Sequence, residues 1–491
     1  MHIGAVGILE GEVPFEAYLE NVEAKLSLLP RFRERIVATP FFVGHPTWES
    51  DPDFDIRSHM ELHELPAPGG ELELKALVDE LMTAMLDRGR PLWELHVVHG
   101  LEGDNSAIVS KVHHAMVDGV GGNQIMTVLF DLSPNAEPPS PSEGENRTEP
   151  ADPRTRVIEA LWDNARGSLD AFADYQRFLL DSMLSVGPER LQSTVEMLRT
   201  AFPDMARPPE RLPFNRACTG TKRFTWTTFS FAEARAVRSA LGGTVNDVVL
   251  GLLAGAVSRY CGHHDCEVRG RSMRVMVPVN VRPDSEIGNL GNQVSVMPVD
   301  VPLGVDDPGQ RIGLIQDVTR ALKRGRVAAG ISSMSKLLGA VPVPFQAAFG
   351  SMAVSPYPIF NIVCTNIPGP QIPLYALGQP LLAYYPYVPV GFDMGVGCAV
   401  FSYNQVLHIG LSSDANACPD VELLRECYDE AIAEMKKAAG VADIAPVDMF
   451  RRPGGTKTSP QKVSATKTVA RKRKKSPKRR TTQGRTAATA S

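Results

Sequence analysis

The stretch that most restricts how this chain can fold is Ala107-Ile108-Val109-Ser110 running into Lys111-Val112-His113-His114-Ala115-Met116-Val117-Asp118-Gly119. The opening residues read as a strand, and Asp118-Gly119 reads as the turn that closes it. At the chain's own residue frequencies, HHxxxDG arises by chance in about one chain of this length in a thousand. A histidine is the side chain best suited to take a proton near neutral pH, its unperturbed pKa lying near ~6.5. Along a continued strand, side chains alternate between faces. His113 then shares a face with Val109 and Lys111, and His114 one with Ile108 and Val112. Only one of the two histidines can face a reaction channel. After the turn, Ile125, Val128, Leu129 and Leu132 mark a short amphipathic helix.

At 491 residues the chain is too long for one ordinary core, which predicts two domains with extensions. Strand-like and helical patterns alternate in both halves, so the expected fold class is α/β with two layered domains. The first half begins with a strand at Ile3–Leu9. Helical spacing follows over Phe15–Leu29 and again over Glu71–Leu86, through Leu74, Leu77, Val78, Leu81 and Met85. Residues 133–156 are rich in Pro, Glu, Ser and Asn and read as an exposed linker; helical patterning resumes from Val157 to about Leu198. The second half opens with a strand at Arg223–Phe229 and a capping box at Ser230–Glu233. A further helix start at Thr244-Val245-Asn246-Asp247 leads into Val248–Val257, which is apolar on every side and must be buried. The predicted boundaries are 1–132, 133–215, 216–450 and a tail, 451–491.

Several function classes are disfavoured. No run approaches the ~18–20 unbroken apolar residues of a membrane-spanning helix. The seven cysteines are scattered, and Met1 is not followed by a secretory leader pattern, so a reduced, cytoplasmic protein is expected. No GxSxG nucleophile elbow occurs, and Gly119-Val120-Gly121-Gly122 is no dinucleotide fingerprint. Cys261-Gly262-His263-His264-Asp265-Cys266 has zinc-type residues without a second ligand pair, and no metal is expected. Between Lys336 and Asp393 there is no Asp, Glu, Lys, Arg or His. That stretch reads first as core, and secondly as an acyl-chain channel or membrane-docking face.

HHAMVDG resembles the active-site motif of the CoA-dependent acyltransferase superfamily, which includes chloramphenicol acetyltransferase and peptide-synthetase condensation domains. Five further stretches, in the expected order over residues 1–440, narrow the resemblance to the bacterial wax ester synthase/diacylglycerol acyltransferase family. They are Pro91-Leu92-Trp93-Glu94, Asn246-Asp247-Val248-Val249-Leu250, Val277-Pro278-Val279-Asn280-Val281-Arg282, Leu290-Gly291-Asn292-Gln293-Val294-Ser295 and Thr365-Asn366-Ile367-Pro368-Gly369-Pro370.

The resemblance implies two chloramphenicol-acetyltransferase-like domains meeting at a central tunnel. It also implies transfer of a long acyl chain from acyl-CoA, a co-substrate rather than a cofactor, to diacylglycerol or a long-chain alcohol. His114 takes the general-base role. His113 and Asp118 are scaffolding, Asp118 pairing with an arginine for which Arg282 is the candidate, and Gly119 permits the turn. Asn246 is the candidate oxyanion donor at a helix start. Asp247 is either a substrate contact or a helix cap. Trp93 is either core or a substrate contact.

Two other readings stand beside this one. The first is a condensation-type acyltransferase acting on another hydroxyl or an amine. The second is a non-catalytic protein that tethers lipid bodies. The tail bears on both: residues 451–491 hold fourteen Lys and Arg and no Asp or Glu, leaving the body with 37 basic and 56 acidic residues, a net charge of −19. Its composition suits attachment to an anionic membrane or lipid-droplet surface. Binding of nucleic-acid phosphates is the less economical use.

Overall fold

The computed structural model describes residues 1–40, 45–116, 125–126, 128–136, 162, 176, 209–280, 294–324 and 359–443. The first half supplies β1 (His2–Leu9), α1 (Phe15–Lys25), β2 (Glu34–Val37), β3 (Thr47–Ser50), β4 (Met60–Glu64), α2 (Glu71–Thr83), β5 (Trp93–Leu101) and β6 (Asn105–His113). The second begins with β7 (Lys222–Ser230), α3 (Phe231–Leu241), α4 (Val245–His263), β8 (Ser272–Asn280), β9 (Val294–Pro302) and α5 (Pro308–Arg324). It ends with β10 (Ile362–Pro368), β11 (Tyr375–Ala376), β12 (Gln379–Tyr387), β13 (Val396–Tyr403), β14 (Val406–Asp414) and α6 (Val421–Ala439).

Two six-stranded sheets organise these elements, ordered β11-β12-β1-β6-β5-β4 and β7-β14-β13-β10-β8-β9. The N-terminal strand is interior: Gly4 faces Lys111 of β6 on one side and Tyr387 of β12 on the other. Two strands at 375–387, within the 216–450 stretch by chain order, therefore belong to the first sheet. Residues 1–450 form one compact unit.

Periodicity correctly located most helices. Every residue from Val248 to Val257 is buried, as an all-apolar helix requires. α4 packs in a core cluster with Ile312 and Ile315 of α5, Leu424, Tyr428 and Met435 of α6, and the inner face of the second sheet. Helix α2 stops at Thr83, earlier than the pattern suggested, because Ala84 turns extended at ψ 140° and leaves Met85 exposed. Ser230 Oγ accepts from the Glu233 N–H at 3.4 Å, as a cap should. The Glu233 carboxylate faces Lys436 Nζ at 2.8 Å. Ile125, Met126, Val128 and Leu129 are helical and buried, whereas Leu132 lies exposed beyond the bridge from Asp131 to Tyr375. Of the helical stretch expected over 157–198, only Trp162 and Gln176 are described, both helical and exposed. In the uncharged stretch, residues 359–392 build β10, β11 and β12, with Ile362, Val363, Cys364 and Leu381 buried, so core is the reading that applies there. Residues 337–358 lie outside the described ones. Among the described residues no single helix is long and apolar enough to cross a membrane.

Helix α2 joins the two sheets. Its Leu74, Val78, Leu81 and Met82 cluster with Val98 and Val109 of the first sheet and with Phe224 and Trp226 of β7. Asp79 accepts from the Phe224 N–H at 2.7 Å and from Arg223 at 3.0 Å, and Lys75 reaches Glu422 of α6 at 2.7 Å. Burial raises the Asp79 carboxyl above its usual range against the pull of Arg223. A second contact sets β14 against β12: a Cβ on Gly410 would lie 1.9 Å from the Pro386 carbonyl oxygen, so only glycine allows that approach.

One consequence is a pH-dependent stability. His408 on β14 is buried between Tyr385 and Tyr403, and burial drives its pKa down to about 3. A depressed folded-state pKa means that the unfolded chain binds the extra proton first. Stability is therefore complete above the unfolded pKa and falls as the pH drops below it. Denaturant melts at pH 7 and pH 5 should show a loss of about 2 kcal/mol attributable to this residue. A His408→Leu variant should show that much less pH dependence over the same interval; an equal slope in both proteins would refute the assignment.

Candidate active site

The described part of the motif, residues 113–116, occupies the end of β6 and the turn beyond it. His113 is the last strand residue, its N–H bonded to the Leu92 carbonyl at 2.9 Å, and His114 is the first turn residue, its N–H bonded to the Met1 carbonyl at 3.1 Å. Because the strand ends between them, strict alternation governs His113 but not His114. Val109 clusters on the α2 side of the sheet, and Ile108 and Val112 on the opposite side with Trp93 and Leu129. The two faces are thus the expected ones.

The histidines differ in what holds them. His113 Nδ1 accepts from the Ala115 N–H at 3.1 Å, which places the proton of a neutral ring on Nε2. Its pKa is lowered, first by burial and then by the positive charges of the N-terminal amine and Arg88. His2 packs edge-on to it at 6.3 Å between ring centroids. His2 is itself pushed down to about 4, chiefly by burial and then by Lys111. His114 is half-buried, and among the described residues nothing hydrogen-bonds its ring. One ring is tied into the turn; the other is not.

Beneath the motif lies a charged pair that the sequence reading did not identify. Lys111 is fully buried and donates to Glu94 Oε2 at 2.9 Å across the β5–β6 hairpin. Burial works against the Glu94 carboxylate, but His96 and Lys111 beside it hold its pKa at about 2. The sequence did contain a signal: Glu102-Gly103-Asp104 is a hairpin turn. Its register could not be counted from the turn alone, since an irregularity between Val98 and Leu101 shifts the pairing by one residue.

For two residues with alternative readings, the contacts favour the structural one. Asp247 is a helix cap: its Oδ2 accepts from the Thr244 N–H and Oγ1, each at 2.8 Å, and its Oδ1 accepts from Thr319 at 3.1 Å. Buried with both oxygens bonded, it has nothing to offer a substrate. Trp93 is core: its indole N–H donates to the Phe32 carbonyl at 2.8 Å and its ring stacks on His59 at 4.6 Å. Asn246 occupies the first turn of α4, half-buried, with no hydrogen bond to its amide among the described residues. Asp118, Gly119 and Arg282 lie outside the described residues. In the Cys261–Cys266 stretch, α4 runs on to His263, Cys261 is buried in it, and His264 Nε2 lies 3.0 Å from Asp420.

Comparison with known proteins matches residues 1–249 to the wax ester synthase/diacylglycerol acyltransferase catalytic domain. Residues 290–436 match the C-terminal domain of the same proteins. The chain belongs to the wax ester synthase/diacylglycerol acyltransferase family. Among family members, the Mycobacterium tuberculosis protein tgs1, named a probable diacylglycerol O-acyltransferase, is 29% identical over 451 residues, 88% of this chain and 90% of that one. A second relative from the same organism, named a putative diacylglycerol O-acyltransferase, is 30% identical over 442 residues, 87% of this chain and 84% of that one. The fold is that of the wax ester synthase/diacylglycerol acyltransferase from Marinobacter aquaeolei VT8, with TM-score 0.61, 24% identity and 90% and 95% of the two chains covered. It is also that of the starter condensation domain of rhizomide synthetase, solved with C8-CoA, with TM-score 0.51, 14% identity and 90% and 89% covered. The expected two-domain α/β architecture is therefore the family's own.

Proposed function

We propose that this chain transfers a long-chain acyl group from acyl-CoA to diacylglycerol, a long-chain alcohol, or both. The single observation that supports this most is an intact HHxxxDG at the end of β6 in a chain of this family, with His113 tied into the turn and His114 free to act. His114 removes the acceptor hydroxyl proton as its oxygen attacks the thioester carbonyl. The resulting oxyanion is met by a donor, for which the Asn246 amide is the candidate. On collapse the C–S bond breaks, and the CoA sulfur leaves with the proton held by His114. Transfer is direct, with no covalent acyl-enzyme. Holding both substrates in one site supplies much of the rate.

The apolar substrates and the fourteen basic tail residues support a cytoplasmic enzyme working at a membrane or lipid-droplet surface. The test is to offer the purified full chain a long-chain acyl-CoA with each acceptor and follow free CoA and ester together. Ester formation with either acceptor is expected, and the preferred one identifies the physiological reaction. No ester with either would overturn the reading in favour of another hydroxyl or an amine. Removing residues 451–491 should weaken binding to anionic vesicles by about 1 kcal/mol per basic residue at the surface. Turnover on dispersed substrate should stay unchanged; a chain without turnover whose lipid-body attachment vanishes with the tail would be a tether instead.

A further inference from the structure

A second cluster of chemically capable side chains sits on the same sheet face as Lys111 and His113, two strands away at the open edge. β4 is the edge strand and pairs in parallel with β5, so that Glu61 lies opposite His96 and His63 opposite Val98. Glu61 and His63, two residues apart, project to one face, and His96 reaches between them. His63 Nε2 lies 3.1 Å from His96 Nδ1, and Glu61 Oε2 lies 3.7 Å and 3.9 Å from those two nitrogens. Three donor atoms about one tetrahedral ion, with bonds of ~2.0–2.1 Å, stand about 3.3 Å apart. The cluster thus needs only a small shift of the exposed Glu61 side chain to close around a cation.

We propose that Glu61, His63 and His96 form a binding site for a late first-row divalent cation of the zinc class. The donors decide the class: two imidazoles and one carboxylate suit zinc and its neighbours, whereas magnesium and calcium take oxygen ligands. A second, independent observation supports the site. His96 is buried, and its other nitrogen, Nε2, has no hydrogen bond among the described residues but faces Glu94 Oε2 at 3.6 Å. With Nε2 turned toward Glu94, the Nδ1 edge of the ring is the one presented to His63 and Glu61. Carboxylate, imidazole and metal in that sequence are the usual way a protein orients a histidine ligand. Glu94 is therefore a positioning residue, and through Lys111 it links the edge to the strand that carries the motif. This departs from the sequence reading, which expected no metal; the parallel register that brings β4 to β5 was invisible there.

The test is independent of acyl transfer. Untagged full-length protein is stripped with a chelator and titrated with zinc chloride, and with cobalt chloride for its visible absorption. The wild type should bind one equivalent of zinc at this cluster, with release of protons and a raised melting temperature. Affinity should fall at least ~10-fold in Glu61→Gln, at an exposed position, and in His63→Ala, at a half-buried one. Metal-free melting temperatures of the three proteins should coincide. Binding that survives both substitutions, or disappears in Cys266→Ser instead, would overturn the proposal, as would a wild type that takes up no zinc.

Discussion

Replacing His114 by alanine should lower the rate of acyl transfer by two or more decades with little change in the melting temperature. General-base catalysis contributes about 10²–10⁴-fold, which sets the scale. His114 is half-buried in a turn, and its ring carries no hydrogen bond among the described residues, so its removal leaves little unsatisfied. The loss should fall on kcat more than on KM, because proton removal belongs to the transition state. His113→Ala provides the contrast. There the Ala115 N–H loses its acceptor at 3.1 Å, and part of any lost activity should return when the turn is stabilised, for example at lower temperature. Steady-state kinetics on folded variants, checked by circular dichroism, make the comparison. Undiminished turnover in His114→Ala would refute the role assigned to it.

Glu94→Gln should destabilise the protein more than any other single polar substitution near the motif. The amide keeps the shape of the side chain but leaves the ammonium of Lys111, fully buried, without its counter-charge at 2.9 Å. Removing one partner of a fully buried ion pair costs about 3–5 kcal/mol, and because the Glu94 side chain is 30% exposed the loss should fall toward the lower end of that range. The pair itself need not be worth that much, since its attraction is offset by desolvation. A Glu94→Gln/Lys111→Met double variant should therefore recover most of the loss. Urea melts of the wild type, both single variants and the double variant close the cycle. A Glu94→Gln midpoint equal to that of the wild type would show that the ammonium finds another partner.

These two predictions differ in how they could be reached. The role proposed for His114 comes from the motif and the resemblance it carries, because HHxxxDG joins a strand, a proton acceptor and a turn signal within a few neighbouring residues. The helices were readable for the same reason: Val248–Val257 can only be buried, and Thr244 with Asp247 forms a cap within four residues. The Asp247 carboxylate also shows the limit, since proximity to Asn246 in a family motif suggested substrate, whereas Thr244 and Thr319 occupy both its oxygens. Trp93 is similar. Its motif did not reveal that the indole N–H is satisfied by Phe32, sixty-one residues earlier.

What the sequence by itself determined is the local chemistry and the local folding: the motif, the capped helices, the α/β alternation and the opposite signs of body and tail. All depend on interactions that span a few residues, where periodicity and side-chain type decide the outcome. The tertiary structure alone decided that β12 crosses to pair with β1 and that Glu94 meets Lys111. It also decided that Glu61, His63 and His96 converge at a sheet edge. Those contacts depend on strand register and on which edges meet, and a shift of one residue would reverse every side chain involved.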